Sequence, residues 1–249
     1  MRGLEKRRRP IAGWQRRAGR DIPRPMPIPT DTIDVWVFDL DNTLYNPLRS
    51  DLMPQMHVRM QEFIMAEFGV DLEEADRRRQ FYFEQYGTTL RGLMDHHSMD
   101  PEKFLPYCHE LDLSSIVHDT ALDAALSALP GRKLIYTNAT EAHATSVMDR
   151  LGVARHFEGI FDIADAGYHP KPRPSSYDDF MKRFGVSPDR ATMFEDTAKN
   201  LKPAHALGMR TVWMKNDRVG AQPNGDDHIH FVAEELVDFL QLILDDKPE

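Results

Sequence analysis

The sequence predicts an α/β fold, in which a doubly wound parallel sheet carries an inserted all-helical cap. Three observations predict it. Four short runs rich in β-branched and aromatic residues each end in polar or charged side chains, helical patterns alternate with those runs, and residues 46–118 interrupt the alternation with helical spacing alone. A Rossmann-like core over residues 31–45 and 119–249, with a cap over 46–118, accounts for all three.

Residues 1–30 precede that core. Nine basic and two acidic side chains fall in residues 1–25, and prolines stand at 10, 23, 25, 27 and 29. Proline at that density denies a regular helix or strand, and the charge leaves little apolar surface to repay ordering, so a disordered basic tail is expected. No apolar run of secretory type follows the basic stretch, and the proline cluster argues against an organellar transit peptide. Two readings of residues 1–25 stay open: an extension upstream of a start at Met26, or a basic arm for anionic partners.

The first strand is expected in residues 33–41, a β-rich run that ends in carboxylates. From 46 the spacing becomes helical over 52–68, 73–86 and 101–111, with no strand-like run among them. About 70 residues is too long for an ordinary connection, which is why the segment reads as a cap. Strands are then expected over 133–138, 192–196 and 210–215, and helices over 119–129, 141–151, 175–184 and 231–244.

Composition narrows the function. The net charge of −9 splits into +7 for residues 1–25 and −16 for the remainder, so the body is a poor partner for a nucleic acid polymer. No run approaches the 18 apolar residues of a spanning helix, so no membrane partner is expected. Cys108 stands alone, which excludes an intrachain disulfide and fits a reducing, cytoplasmic location. Apolar neighbours at helical spacing make it a packing residue. The oligomeric state stays open.

In an open parallel sheet, ligands bind at the carboxyl ends of the strands. Those ends carry Asp39 and Asp41, then Thr137 and Asn138, then Glu195 and Asp196, and Lys171 sits in a proline-stiffened loop before the last pair. If the strand is still extended at Asp41, both aspartates leave on the same side. Two carboxylates in one place repel unless a cation or a shared proton intervenes, and a hard ion such as Mg²⁺ would also neutralise charge during phosphoryl transfer. Lys171 and Thr137 would supply a point charge and a hydroxyl donor to phosphate oxygens.

Asp39-Leu-Asp41-Asn-Thr43, Thr137-Asn138, Lys171-Pro and Glu195-Asp196-Thr-Ala-Lys-Asn200 resemble, in order and spacing, the four motifs of the haloacid dehalogenase-like hydrolase superfamily, over about residues 33–214. The resemblance implies that Asp39 is the nucleophile and becomes an aspartyl phosphate, and that Asp41 protonates the leaving oxygen and then activates water. Asp39, the Asp41 backbone carbonyl and Asp196 would hold Mg²⁺, with Glu195 and Asn200 as its further partners. Dehalogenases need no acid for a halide, so the Asp41 carboxylate points to phosphoryl chemistry.

Tyr45-Asn-Pro and residues 86–94 resemble the pyrimidine 5′-nucleotidase branch. The expected substrate-binding residues are Thr43, Tyr45 and Asn138 beside the motifs and Thr88, Thr89 and Arg91 in the cap, where Gly87 and Gly92 bracket a short helix. His96 and His97 point about 100° apart on a helix and, like Asp95, are read as ordinary cap residues. The implied activity is hydrolysis of a small phosphate monoester, a pyrimidine nucleoside 5′-monophosphate first. Sugar, glycerol or lysophospholipid phosphates come next, and a non-catalytic phospho-ligand-binding regulator is the alternative of another class.

Overall fold

A computed structural model describes residue 28 and residues 30–216 and 227–245. The tail expected over 1–30 lies outside them except at its end, where Ile28 is buried in the core and Thr30–Thr32 forms a 3₁₀ turn, so ordered chain begins before the predicted boundary.

Among the described residues the sheet has six parallel strands: β1 (Val35–Phe38), β2 (Arg132–Tyr136), β3 (Gly159–Phe161), β4 (Ala191–Glu195), β5 (Arg210–Met214) and β6 (Phe231–Ala233), in the order β3-β2-β1-β4-β5-β6. The chain builds outward from β1 to one side and then returns to build the other. A ligand crevice opens where the winding reverses, between β1 and β4.

Side chains alternate along the strands and fill both faces. Trp36 and Phe38 of β1 pack on α5 (Thr120–Ala128), α6 (Glu141–Leu151) and α9 (Leu236–Asp245). Val35 and Val37 pack on α7 (Pro174–Phe184) and α8 (Leu201–Ala206). Burial on both faces is why these strands read as nearly continuous apolar runs.

Between β1 and α5 lie α1 (Leu52–Phe68), α2 (Leu72–Tyr86), α3 (Thr89–His97) and α4 (Pro101–Cys108). They enclose their own apolar cluster around Phe63, Ile64, Tyr82, Leu93, Phe104 and Cys108. The Cys108 thiol is fully buried there, and burial pushes it up to about 12, as a packing residue requires.

Three local expectations change. The helix expected over 231–244 begins only at Leu236, because Phe231–Ala233 pairs with β5 as an edge strand. The edge strand β3 has three residues and had no counterpart in the sequence reading. Gly92 does not end the short helix but lies inside α3, which packs so closely on α2 that a Cβ there would stand 2.3 Å from the Tyr82 ring.

Candidate active site

β1 ends at Phe38, so Asp39 and Asp41 are not paired by an extended strand. The chain instead turns over residues 40–44, with the Thr43 and Leu44 amides donating to the Leu40 carbonyl and Asn42 at φ 63°. Asn tolerates that left-handed conformation better than most residues. Both aspartates still line one cavity of about 500 Å³ between the sheet edge and the four cap-side helices.

Lys171 is the hub of the site. It is 1 % exposed, and its Nζ donates to Asp39 Oδ1 at 2.8 Å, Glu195 Oε2 at 2.7 Å and the Tyr136 carbonyl at 2.7 Å, tying the tips of β1, β4 and β2 together. Burial would depress the ammonium, but the Asp39 and Glu195 charges outweigh it and hold Lys171 above its ordinary range. Asn138 fixes the lysine's backbone, its Oδ1 accepting from the Lys171 amide at 2.8 Å and its Nδ2 donating to the carbonyl at 3.3 Å. Thr137 Oγ1 accepts from the Ala139 amide at 3.0 Å, which leaves its hydrogen to donate into the cavity it lines.

Asp39, Glu195 and Asp196 bring carboxylate oxygens within 4.8 Å of one another, and all three residues are buried. Burial, then the Glu195 charge, pushes Asp39 up to about 7 despite Lys171, and the same two causes in the same order push Asp196 upward. Three buried carboxylates with one lysine leave uncompensated negative charge. Asn200 Oδ1 is buried without a hydrogen-bond partner and lines the same cavity. Hard oxygen donors, excess negative charge and an orphaned amide oxygen together fit a divalent cation of the Mg²⁺ type.

Asp41 is gripped from the side. Its Oδ1 accepts from the Tyr45 hydroxyl at 2.7 Å and from His143 Nε2 at 3.0 Å, and His143 is itself buried, with His109 stacked on its ring at 4.8 Å. Burial alone would raise Asp41, but the charge and hydrogen bond of His143, with the Tyr45 bond, hold it below the ordinary carboxylate range.

The structure separates the expected substrate-binding residues into two groups. Asn138, Thr88 and Thr89 line the cavity, although the Thr88 hydroxyl caps α3 by accepting from the Arg91 amide at 3.1 Å and Thr89 Oγ1 donates to the Arg79 carbonyl at 3.1 Å. Thr43, Tyr45 and Arg91 do not line it. Thr43 Oγ1 donates to Asp39 Oδ2 at 3.1 Å, and Thr43 and Tyr45 face a separate cavity of about 240 Å³. Arg91 is held by Asp95 one helical turn on, with Nε 3.0 Å from Oδ2. His96 and His97 pair with Tyr86 and Tyr82, respectively.

Sequence reading missed His143, Arg79, His57 and His109. His143 had a usable signal, since it lies in the first turn of a helix that begins directly after the β2 tip. Arg79 had none, as the third of a run of arginines that reads as a solvated face.

No described helix is long and apolar enough to cross a membrane. The chain is 28 % identical over 205 residues to Phosphate metabolism protein 8 of Saccharomyces cerevisiae, a match over 75 % of this chain and 63 % of that protein's length. It is 32 % identical over 76 residues to the fructose-1-phosphate phosphatase YqaB of Escherichia coli, over 30 % of this chain and 40 % of that one. Among solved structures, the hydrolase YfnB of Bacillus subtilis, bound to magnesium, matches with a TM-score of 0.55 at 15 % identity, over 85 % of this chain and 98 % of that one. A HAD phosphatase from Thermococcus onnurineus matches at 0.54 and 18 % identity, over 86 % and 99 %. The sequence model of the haloacid dehalogenase-like hydrolases matches residues 33–208, a span that takes in every strand-tip motif from Asp39 to Asn200, and the chain belongs to that family.

Proposed function

We propose that the protein is a Mg²⁺-dependent phosphatase that hydrolyses a small phosphate monoester through an aspartyl phosphate on Asp39, with a pyrimidine nucleoside 5′-monophosphate as first substrate. The observation that carries the phosphatase reading is the carboxylate set Asp39, Glu195 and Asp196, with Lys171 bridging the first two and the Asp41 carboxylate on the same cavity. Asp39 attacks phosphorus in line, and Asp41, supplied with a proton by the His143 imidazolium bonded to it, passes one to the leaving oxygen and then takes one from water. Lys171 and the Thr137 hydroxyl hold phosphate oxygens. Asp39, Asp196 and the Asp41 carbonyl would hold Mg²⁺, with Glu195 and Asn200 beside them, and the ion when bound neutralises charge on the transferring group.

Support for a nucleoside leaving group comes from the cavity wall, where Met53, Met56, Met60, Phe83, Leu90 and Phe104 offer an apolar surface suited to a flat base. The second reading, a sugar phosphate, draws on the fructose-1-phosphate phosphatase relative. Phosphate release from purified protein with Mg²⁺ tests both readings across nucleoside monophosphates, sugar phosphates and lysophosphatidate. Turnover of UMP or CMP above fructose 1-phosphate is expected, and the reverse order selects the second reading. Asp39→Asn should abolish release from every ester, and retained activity would overturn the covalent mechanism.

A further inference from the structure

Arg79 lies on α2 and lines the same cavity as the catalytic carboxylates. Its side chain is 13 % exposed, and its Nε and Nη2 both donate to one oxygen of Asp76, at 3.0 and 2.8 Å. Asp76 is held in turn by Gln61 at 2.7 Å and Gln80 at 2.6 Å, so the guanidinium is anchored at one end by a supported carboxylate. Among the described residues no acceptor meets Nη1. Nη1 is thus a donor held in a fixed direction and open to a ligand in the cavity that Arg79 lines.

Position and charge narrow that acceptor. Arg79 stands eight residues before Gly87, about 12 Å of helix rise, and a Cβ on Gly87 would come 2.8 Å from the Lys171 carbonyl. The guanidinium therefore sits two helical turns away from the end of α2 that meets the catalytic lysine, on the side left for the leaving group. Asp76 already balances the Arg79 charge. His57 lines the cavity and is pushed down to about 4, by burial first and then by the Arg79 charge, so it adds no positive charge at neutral pH. Lys199, which also lines the cavity, donates to the Phe83 carbonyl at 3.3 Å and is faced by the charges of Glu84 and Glu195. With each cation matched by a carboxylate, the site favours an uncharged acceptor over a second anion.

Resting on the phosphatase reading above, we propose that Arg79 is the specificity-determining residue of a leaving-group subsite, where it donates to a carbonyl oxygen carried on an otherwise apolar group. The keto oxygen of a pyrimidine base meets that description. The acyl carbonyl of lysophosphatidate offers the same chemistry from another source, whereas adenosine and glycerol offer no carbonyl.

The test compares kcat/KM for UMP, AMP, glycerol 3-phosphate and lysophosphatidate in the full chain with Mg²⁺, for wild type, Arg79→Met and Arg79→Lys. Ratios between substrates within one preparation cancel any difference in the folded fraction. Wild type should favour UMP over AMP and glycerol 3-phosphate. Arg79→Met should lower the UMP to glycerol 3-phosphate ratio about 10- to 100-fold, through KM rather than kcat, and Arg79→Lys should recover part of it. If the lysophosphatidate ratio collapses instead, the carbonyl subsite stands and its natural source is an acyl ester. Ratios unchanged in Arg79→Met, or a wild type that prefers AMP or glycerol 3-phosphate, overturn the proposal. These outcomes leave the Asp39→Asn result untouched, so the chemistry and the subsite fail separately.

Discussion

His143 Nε2 lies 3.0 Å from Asp41 Oδ1, and the Tyr45 hydroxyl donates to that same oxygen at 2.7 Å. With Oδ1 occupied twice, Oδ2 is the oxygen left to serve the cavity. His143→Ala should therefore lower kcat about tenfold or more on an alkyl phosphate ester, where the leaving oxygen needs a proton. The loss on p-nitrophenyl phosphate, whose leaving group needs little proton assistance, should be smaller. Equal losses on both esters would mean that His143 only supports packing.

Gly87 sits at φ 87° with the Lys171 carbonyl 2.8 Å from where a Cβ would be, whereas Gly69 at φ 64° has nothing within 4 Å. Both alanine variants should lose about 1 kcal/mol of stability from the left-handed backbone. Gly87→Ala should also displace the Lys171 loop and cut phosphate release about tenfold, an effect absent from Gly69→Ala. Urea unfolding and an activity assay on the two variants separate strain from displacement.

A carboxylate raised in the folded state makes the native protein bind more protons than the unfolded chain, so its contribution to stability falls as pH rises through the folded value. Asp39, pushed up to about 7, and Asp196 are such groups, by burial and then the Glu195 charge. Mg²⁺ binding to the ionised forms should therefore raise the melting temperature more at pH 8 than at pH 6. Asp196→Asn should remove most of that rise, and an undiminished rise in the variant would place the ion elsewhere.

His57 and His109 carry the opposite sign. Burial first, then Arg79 for His57 and His143 for His109, pushes both down to about 4. Between about pH 6.5 and 4 the unfolded chain takes up protons that the folded chain refuses, so each histidine removes up to about 1.4 kcal/mol of stability per pH unit on acidification. Chemical denaturation of His57→Gln and His109→Gln across that window should show shallower slopes than wild type.

The parallel sheet was legible because burial on both faces leaves unbroken apolar runs, and the polar residues that end them fall at strand tips whatever the loops do. The edge strands at 159–161 and 231–233 were not, since three residues carry too little pattern and their pairing is decided by β2 and β5. At the site, Asp39, Asp41 and Asp196 stood out at strand ends, whereas Lys171, in a loop, stood out only through the order of the four motifs. Arg79 and Arg91 were not distinguishable in the sequence. Rotation of α2 and α3 against their neighbours turns Arg79 into the cavity, while Asp95 one turn on holds Arg91 outside it. His143 touches Asp41 across 102 residues of chain, a contact no local spacing encodes.

The cap-side helices follow one another in a single stretch of chain from Leu52 to Cys108, whereas the residues at the strand tips are gathered from Asp39 to Asn200 by the sheet. One contiguous stretch of sequence can thus drift, lengthen or be exchanged as a cassette while the strand registers stay fixed. A chain built this way can reshape the wall of its cavity without moving the carboxylates and the lysine at the strand tips.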